Sequence, residues 1–499
     1  MTTADATRLV EENQQLKAEL RVLSLQVKEL QKQLFGRRSD KRPDSEESGQ
    51  GMLEGIQEGA WNEAQVPAAP KTRRPQRKGK KKGPKPLNPD LPRVSEVVDD
   101  PGLKELICPV TGKLMRVGFV ESIEVLSRVP ARYHVRSISR NVFVSPAGEA
   151  PVYSPWPKNV MPKSRIDTGV ISSLLTGRFA DHQPYHRQQG QLARFGVDLA
   201  PNTMVSLVKQ ACEKLQPLYR CLIKKVLASG YIQLDPTPIP MISDKKSGST
   251  KQACMWTYRA LDGPEFFEFN QTKIGATPAR TLDEYEGLLQ TDGATNFGGL
   301  PAKPGITHLG CWAHSRRYFV TAAESGEACA NAYLDRIDRL FYLERLARRW
   351  KIKPETLRRL RGRHSLPIID ELFKMARDYV AQELLLKTPM PKAVKYLLGH
   401  EKPLRECFKH VPSRIDNNLA ENALRPLKLG AKNWLFIGHP DAGPRAAIMF
   451  TLVENCRQAK INPEAYFADV LARIDDHPNS RIEELIPQNW VAQNHPVIN

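Results

Sequence analysis

The chain lacks any apolar run long enough to cross a bilayer, and its first residues lack the apolar core of a secretory signal. Both absences argue against a membrane or exported protein and lead us to expect a cytoplasmic one. Its eight cysteines, at 108, 212, 221, 254, 311, 329, 407 and 456, never form a close Cys-x-x-Cys pair. In so long a chain that spacing argues against a disulfide scaffold and fits reduced thiols. Acidic residues are also in deficit, 55 Asp plus Glu against 74 Lys plus Arg, for a formal charge of +19. A polyanion is the partner such a balance suits, and nucleic acid suits it better than a membrane surface. At 499 residues the chain exceeds one ordinary hydrophobic core, and no internal repeat is evident, so several unlike domains are expected.

The N-terminal segment carries Leu9, Leu16, Leu23 and Leu30 at strict seven-residue spacing, with Leu20, Val27 and Leu34 at the partnering position. Asn13 shares the register of the second set, where one buried amide fixes alignment and favours a dimer. The pattern predicts a self-associating coiled coil over residues 1–36; the alternative is an amphipathic helix folded onto its own domain. Residues 37–92 turn to charge, Gly and Pro, a composition that cannot offset ordering entropy, and read as a flexible basic linker. Within it Arg73, Arg74, Arg77, Lys78, Lys80, Lys81 and Lys82 form a cluster suited to DNA phosphates through counterion release, or else a solvated tail.

A small β-rich module is expected over 93–155, with strand-like runs at Phe119–Val129 and Tyr133–Val144. Its Cys108-Pro109-Val110-Thr111 turn looks like a zinc knuckle whose second cysteine is threonine, and no Cys or His pair near 140–150 completes four ligands. A zinc site is therefore not expected there. Residues 156–229 read as helical and helix-turn-helix-like, one helix ending near Val197 and another opening at Pro201. Its second helix could enter the major groove, although plain helical packing explains the pattern equally well.

From Gly230 the period changes to that of strands. Tyr231–Leu234, Ala253–Ala260, Glu265–Phe269, Leu288–Thr291 and Ile306–His314 are the expected strands, with a helix over Thr277–Glu286 between the third and fourth. That order predicts a mixed sheet of ribonuclease-H type as the core over 230–314. Asp235 and Asp292 each follow a short apolar run, so they would fall at neighbouring strand ends. Glu421, within Ile415-Asp416-Asn417-Asn418-Leu419-Ala420-Glu421, would project from a later helix and complete three carboxylates. Oxygen donors of this kind suit Mg²⁺ or Mn²⁺, and a pair of ions suits phosphodiester chemistry. Each carboxylate alone could equally be a turn, cap or surface residue, since Pro236 and Gly293 follow the two aspartates.

A helical insertion is expected over 315–410, with strong helices at Tyr333–Trp350 and Ile369–Leu386, then the glutamate helix within 411–458 and a C-terminal element over 459–499. Cys311-x-x-His314 is half a metal site, and His314 is expected to order the catalytic edge or contact phosphate. Arg316 and Arg317 are candidate phosphate clamps, and Asn417 and Arg425 join the expected DNA-contacting set.

Taken together, several blocks resemble the large transposase of the insertion sequence 66 family. They are Gln33-Leu34-Phe35-Gly36-Arg37-Arg38-Ser39, Ala180-Asp181-His182-Gln183-Pro184-Tyr185, Leu234-Asp235-Pro236-Thr237, Thr291-Asp292-Gly293, Cys311-Trp312-Ala313-His314-Ser315-Arg316-Arg317, and Ile415 through Glu421 to Lys432-Asn433-Trp434-Leu435-Phe436-Ile437-Gly438. The resemblance implies a DDE transposase of a bacterial mobile element, with Asp235, Asp292 and Glu421 as its acidic triad. It implies divalent-metal-dependent cleavage at element ends in double-stranded DNA, strand transfer through a 3′-hydroxyl, and small accessory proteins as partners. This chain departs from the family in having Pro236 where glutamate commonly follows the first aspartate, and in keeping only Cys108 of the paired zinc-module cysteines. Two other readings stand beside it: a catalytically idle DNA-binding or regulatory protein, and a nuclease or resolvase that cuts without joining.

Overall fold

The computed structural model describes residues 166–492 except 244–248, 273–275, 294–296, 298–299, 301–302, 382–387 and 412, together with 133–135, 137, 142–143 and 152–153. The expected coiled coil, basic cluster and Cys108 turn lie outside these residues. The chain forms two compact units, one of residues 65–139 and one holding residues 140–499. Of the expected strand over Tyr133–Val144, only Val142–Phe143 (β1) is strand among the described residues, paired antiparallel with Val152–Tyr153 (β2); Tyr133–Val135 is not. Strand conformation persists only where a ladder partner holds it.

Three helices come next: α1 (Thr168–Phe179), α2 (Tyr185–Ala193) and α3 (Pro201–Leu227). Asp167 caps α1 by accepting from the Val170 amide at 3.1 Å, and Pro201 opens α3 where a missing N–H costs nothing. The α2 to α3 boundary falls where the sequence places it. The apolar stripe of α3, Met204, Leu207, Ala211, Leu215, Leu218, Leu222 and Val226, is buried. It packs on the sheet strands β4 and β5 and on later helices, so this region is built into the core of its unit.

The sheet is five-stranded, in the order β5-β4-β3-β6-β7. β3 (Tyr231–Ile242), β4 (Thr250–Ala260) and β5 (Glu265–Asn270) form an antiparallel meander, and β6 (Gly287–Gln290) and β7 (Ile306–Leu309) lie parallel to β3. A short helix, α4 (Ala276–Thr281), links β5 to β6; the expected Thr277–Glu286 helix ends early because Tyr285 and Glu286 turn into β6.

Two strand boundaries differ from expectation. β3 does not stop at Leu234 but continues through Pro236, Pro238 and Pro240. Even-numbered residues of β3 point their backbone groups away from β4: Gly230 O accepts from Leu288 N of β6, Leu234 O from Asn417 Nδ2, and Pro240 O from Ile437 N. β6 pairs with β3 only as far as Gln233, so beyond it no ladder needs the N–H groups the prolines lack. At the other edge, β7 ends at Leu309, and Trp312 begins α5 (Trp312–Glu324). Nothing in Ile306–His314 marks a stop as Pro would, but Trp312 leaves the sheet to pack on Phe373 and Phe408.

Beyond α5 the insertion is helical, as expected: α6 (Ala330–Arg349), α7 (Pro354–Leu360), α8 (Leu366–Ala381), α9 (Pro389–Gly399) and α10 (Glu401–Lys409). A π-helical turn, Arg361–Ser365, joins α7 to α8. These helices bury Phe319, Tyr333, Ile337, Leu372, Phe373, Leu397 and Leu404 against Leu309 and Trp312. A separate core of Ile232, Leu234, Trp256, Tyr258, Phe266 and Leu289 includes Val226 of α3.

The chain returns through α11 (Asn418–Trp434), α12 (Ala442–Ala459) and α13 (Pro463–Arg473). α12 covers the β5 edge with side chains: Phe267 N donates to Thr451 Oγ1 at 2.9 Å, and Asn455 Nδ2 donates to Glu265 O at 2.7 Å. Open edge groups are thereby satisfied. A Cβ at Gly443 would fall 2.2 Å from the Phe269 ring, so the close approach of α12 needs glycine there.

Candidate active site

Each aspartate follows closely on a paired stretch of the β3–β6 ladder. The β3–β6 ladder pairs Tyr231 with Leu288, Ile232 with Leu289 and Gln233 with Gln290. Asp235 lies two residues beyond Gln233 within β3, and Asp292 two residues beyond Gln290, past the end of β6. Asp235 is buried within β3, opposite Thr257 of β4, whereas Asp292 is half-buried in the turn after β6. That turn is clamped by the insertion: Tyr396 Oη donates to Asp292 O at 2.6 Å, and His400 Nε2 meets Gly293 O at 3.0 Å. Gly293 has φ of 78°, and a Cβ there would come within 2.5 Å of His400 Nε2, so both backbone and space demand glycine.

Glu421 reaches the same edge through a network of buried polar groups. Ile415 is buried in the insertion-side core, and its carbonyl accepts from Trp312 N at 2.8 Å. Asn417, the N-cap of α11, makes no cap bond with its own side chain; instead its Nδ2 donates to Leu234 O of β3 at 3.1 Å. The free amides at the start of α11 are met from the sheet. Gln233 Oε1 accepts from Leu419 N at 3.1 Å and Ala420 N at 3.3 Å, while Gln233 Nε2 donates to Asp416 O at 2.7 Å and Gln290 Oε1 at 2.7 Å. One glutamine, two residues before Asp235, thus caps the helix whose first turn carries Glu421.

One face of α5 completes the surroundings. Cys311, His314 and Arg317 recur every third residue and turn toward Glu421. Arg317 Nη2 donates to Glu421 Oε2 at 3.3 Å, and His314 Nε2 lies 3.5 Å from Glu421 Oε1. Burial, then the Arg317 charge, push the His314 imidazole down to about 3, so it is neutral and this contact is not an ion pair. Burial raises the Glu421 carboxyl above its usual range; Arg317 opposes that shift, and the nearby charge of Asp292 adds to it. Glu421 Oε1 and His314 Nδ1 are buried without hydrogen-bond partners.

The expected DNA-contacting residues divide. Arg316 turns away and forms a bidentate pair with Asp338, at 2.6 and 3.2 Å, and Arg317 is committed to Glu421. Asn417 is fully buried, and its amide ties α11 to β3. Arg425, one turn beyond Glu421 on α11, is half-buried. Sequence reasoning passed over Gln233, Gln290, Tyr396 and His400, whose roles depend on partners between 57 and 187 residues away. The one local hint was a pair of glutamines inside apolar strands.

A five-stranded mixed sheet, a helical insertion and a returning helix capped from the sheet by Gln233 make up this core. Comparison with known sequences fixes the family. The profile described as "Transposase IS66 family" matches residues 163–445, "IS66 C-terminal element" matches 451–488, and "Transposase C of IS166 homeodomain" matches 22–95. The chain belongs to the IS66 family of transposases. A DDE-type family domain of this kind is generally divalent-metal dependent, and with the homeodomain match it points to DNA as partner. The uncharacterized protein y4hP of Sinorhizobium fredii is 28% identical over 497 residues, covering 94% of this chain and 88% of that protein. From the same organism, the uncharacterized protein y4jD is 26% identical over 421 residues, covering 81% of each. No solved structure matches the chain. Among the described residues no helix is long and apolar enough to cross a membrane.

Proposed function

We propose that the protein cleaves the ends of its own mobile element and joins them to target DNA, with Asp235, Asp292 and Glu421 as the acidic triad of a ribonuclease-H-like core. The observation that supports this reading is the layout around one ladder: Asp235 and Asp292 each follow by two residues the paired Gln233 and Gln290, and the same Gln233 caps the helix that carries Glu421. The strand order, an antiparallel meander followed by two parallel strands, supports the ribonuclease-H reading.

The donors fit a hard divalent cation such as Mg²⁺ or Mn²⁺. All three are carboxylates, and Glu421 Oε1 is buried with no hydrogen-bond partner to satisfy it. Asp235, Asp292 and Glu421 would hold one or two such ions, which supply Lewis-acid stabilisation of the attacking and leaving oxygens. Arg317, paired with Glu421 Oε2, orients that carboxylate. Tyr396 and His400 fix the backbone of the Asp292 turn. Neutral His314 walls the site without adding positive charge that would compete with a cation.

The test uses the full chain and DNA carrying the element's ends. Asp235→Asn, Asp292→Asn and Glu421→Gln should each lower Mg²⁺-dependent cleavage by several kcal/mol of barrier, on the order of 10³-fold. Full cleavage by all three variants would sink the assignment. Joining of the freed 3′ ends separates a transposase from a nuclease that only cuts.

A further inference from the structure

Cys311, His314 and Glu421 present one ligand atom each, and these atoms all lie within 4.8 Å of one another. Their positions follow from the fold. Cys311 is the N-cap residue of α5, His314 sits one turn on along the same face, and Glu421 meets both from the first turn of α11. Sulfur, imidazole and carboxylate are the donors of a thiophilic divalent ion such as Zn²⁺, not those of Mg²⁺.

Three details suit a cation here. His314 Nδ1 and Glu421 Oε1 are buried without hydrogen-bond partners, an arrangement that costs free energy unless something else satisfies them. The Cys311 sulfur accepts from the backbone amides of Asn417, at 3.2 Å, and of His314, the kind of outer contact that steadies a metal-bound thiolate. Arg317 occupies only Glu421 Oε2, so the other oxygen remains free on the side of His314. Tetrahedral zinc places neighbouring donors roughly 3.5 Å apart, from bonds of about 2.0 to 2.3 Å. The group therefore has to close by about an ångström, within the range of side-chain rotation.

We propose that Cys311, His314 and Glu421 form a sulfur-containing cation site that takes Zn²⁺ or a similar thiophilic ion, and that an ion held there withdraws Glu421 from the Asp235–Asp292 edge. Binding forms a sulfur–metal bond and releases the thiol proton to solvent; no oxidant or reductant is needed. The inhibitory half rests on the triad reading of the preceding subsection. The binding half does not, and the two are measured separately.

Co²⁺ is the probe, added to the full-length reduced protein without DNA. A thiolate-to-cobalt charge-transfer band should grow to one equivalent. It should be lost in Cys311→Ser and weaken at least tenfold in His314→Ala and Glu421→Gln, while Asp235→Asn and Asp292→Asn keep it. Metal-free thermal melting of each variant separates loss of the site from loss of the fold. A band that survives Cys311→Ser, for instance through exposed Cys329, or no band at all, overturns the site; a band lost in Asp235→Asn moves the ion to the carboxylate edge and overturns it as well. Zn²⁺ should then inhibit Mg²⁺-dependent cleavage, and the ratio of activity with and without Zn²⁺ should need at least tenfold more zinc to fall in Cys311→Ser. An intact band with unchanged zinc sensitivity removes the inhibitory half alone. If instead the band forms as described but the three carboxylate variants cleave normally, it is the triad reading that fails.

Discussion

The strand side and the helix side of the carboxylate edge hold their acids by different means. Asp235 lies within β3 and Asp292 two residues past the end of β6, so their backbone follows closely on the β3–β6 ladder. Glu421 arrives more than a hundred residues later and is held by side chains: Gln233 caps its helix, Asn417 ties that helix to Leu234, and Arg317 pairs with the carboxylate itself. The difference teaches that the strand side should tolerate local substitution, whereas the helix side depends on single buried groups whose loss nothing nearby can replace.

The strongest way to break the comparison lies far from the site. Arg361, fully buried in the π-helical turn, is bidentate to Glu344 at 2.8 and 2.9 Å and also donates to the carbonyls of Cys407, His410 and Ser413, the segment that leads into α11. Arg361→Met strands a buried carboxylate and should cost about 3–5 kcal/mol in urea unfolding. Adding Glu344→Leu should recover part of that loss; no recovery would mean that the carbonyl ties, not the ion pair, hold the segment.

Gln233→Leu comes next. It removes the cap of α11 and a buried amide network, for about 2–4 kcal/mol of stability. If the triad is as proposed, the Mn²⁺ concentration for half-maximal cleavage should also rise by roughly ten- to a hundredfold, the usual effect of losing an outer-shell partner. An unchanged metal requirement would show that Glu421 is set without Gln233. The smallest effect belongs to the strand side: Pro238 is exposed, and its missing N–H faces no ladder, so Pro238→Ala should cost only about 0.4–1 kcal/mol through the unfolded chain. A larger loss would show that the prolines hold β3 in shape.

The sequence made the apolar strands, the α2 to α3 boundary and the helical insertion legible, because each depends on a local period or a local cap. It hid the length of β3, since three prolines read as a stop unless one knows that β6 ends at Gln290. It hid the start of α5 for a related reason: no proline or side-chain cap separates Leu309 from Trp312, and only the Phe373 and Phe408 rings show where Trp312 goes. The carboxylates could be named in order, but Gln233, Tyr396 and His400 act through partners that no local pattern encodes. Asn417 likewise ties its helix to Leu234, 183 residues away in sequence.

The isolated bridge between Met241 and Ile437 adds something about motion. Ile437 lies just past the C-terminal end of α11 and exchanges backbone bonds with β3, through Pro240 O and Ile242 N, each at 2.9 Å. The helix that carries Glu421 is thus fastened to one strand at both ends, by Gln233 and Asn417 at its start and by Ile437 at its finish. The backbones that carry Glu421 and Asp235 are therefore tied together at two points, so a change in the distance between those two acids falls to the Glu421 side chain and not to its helix.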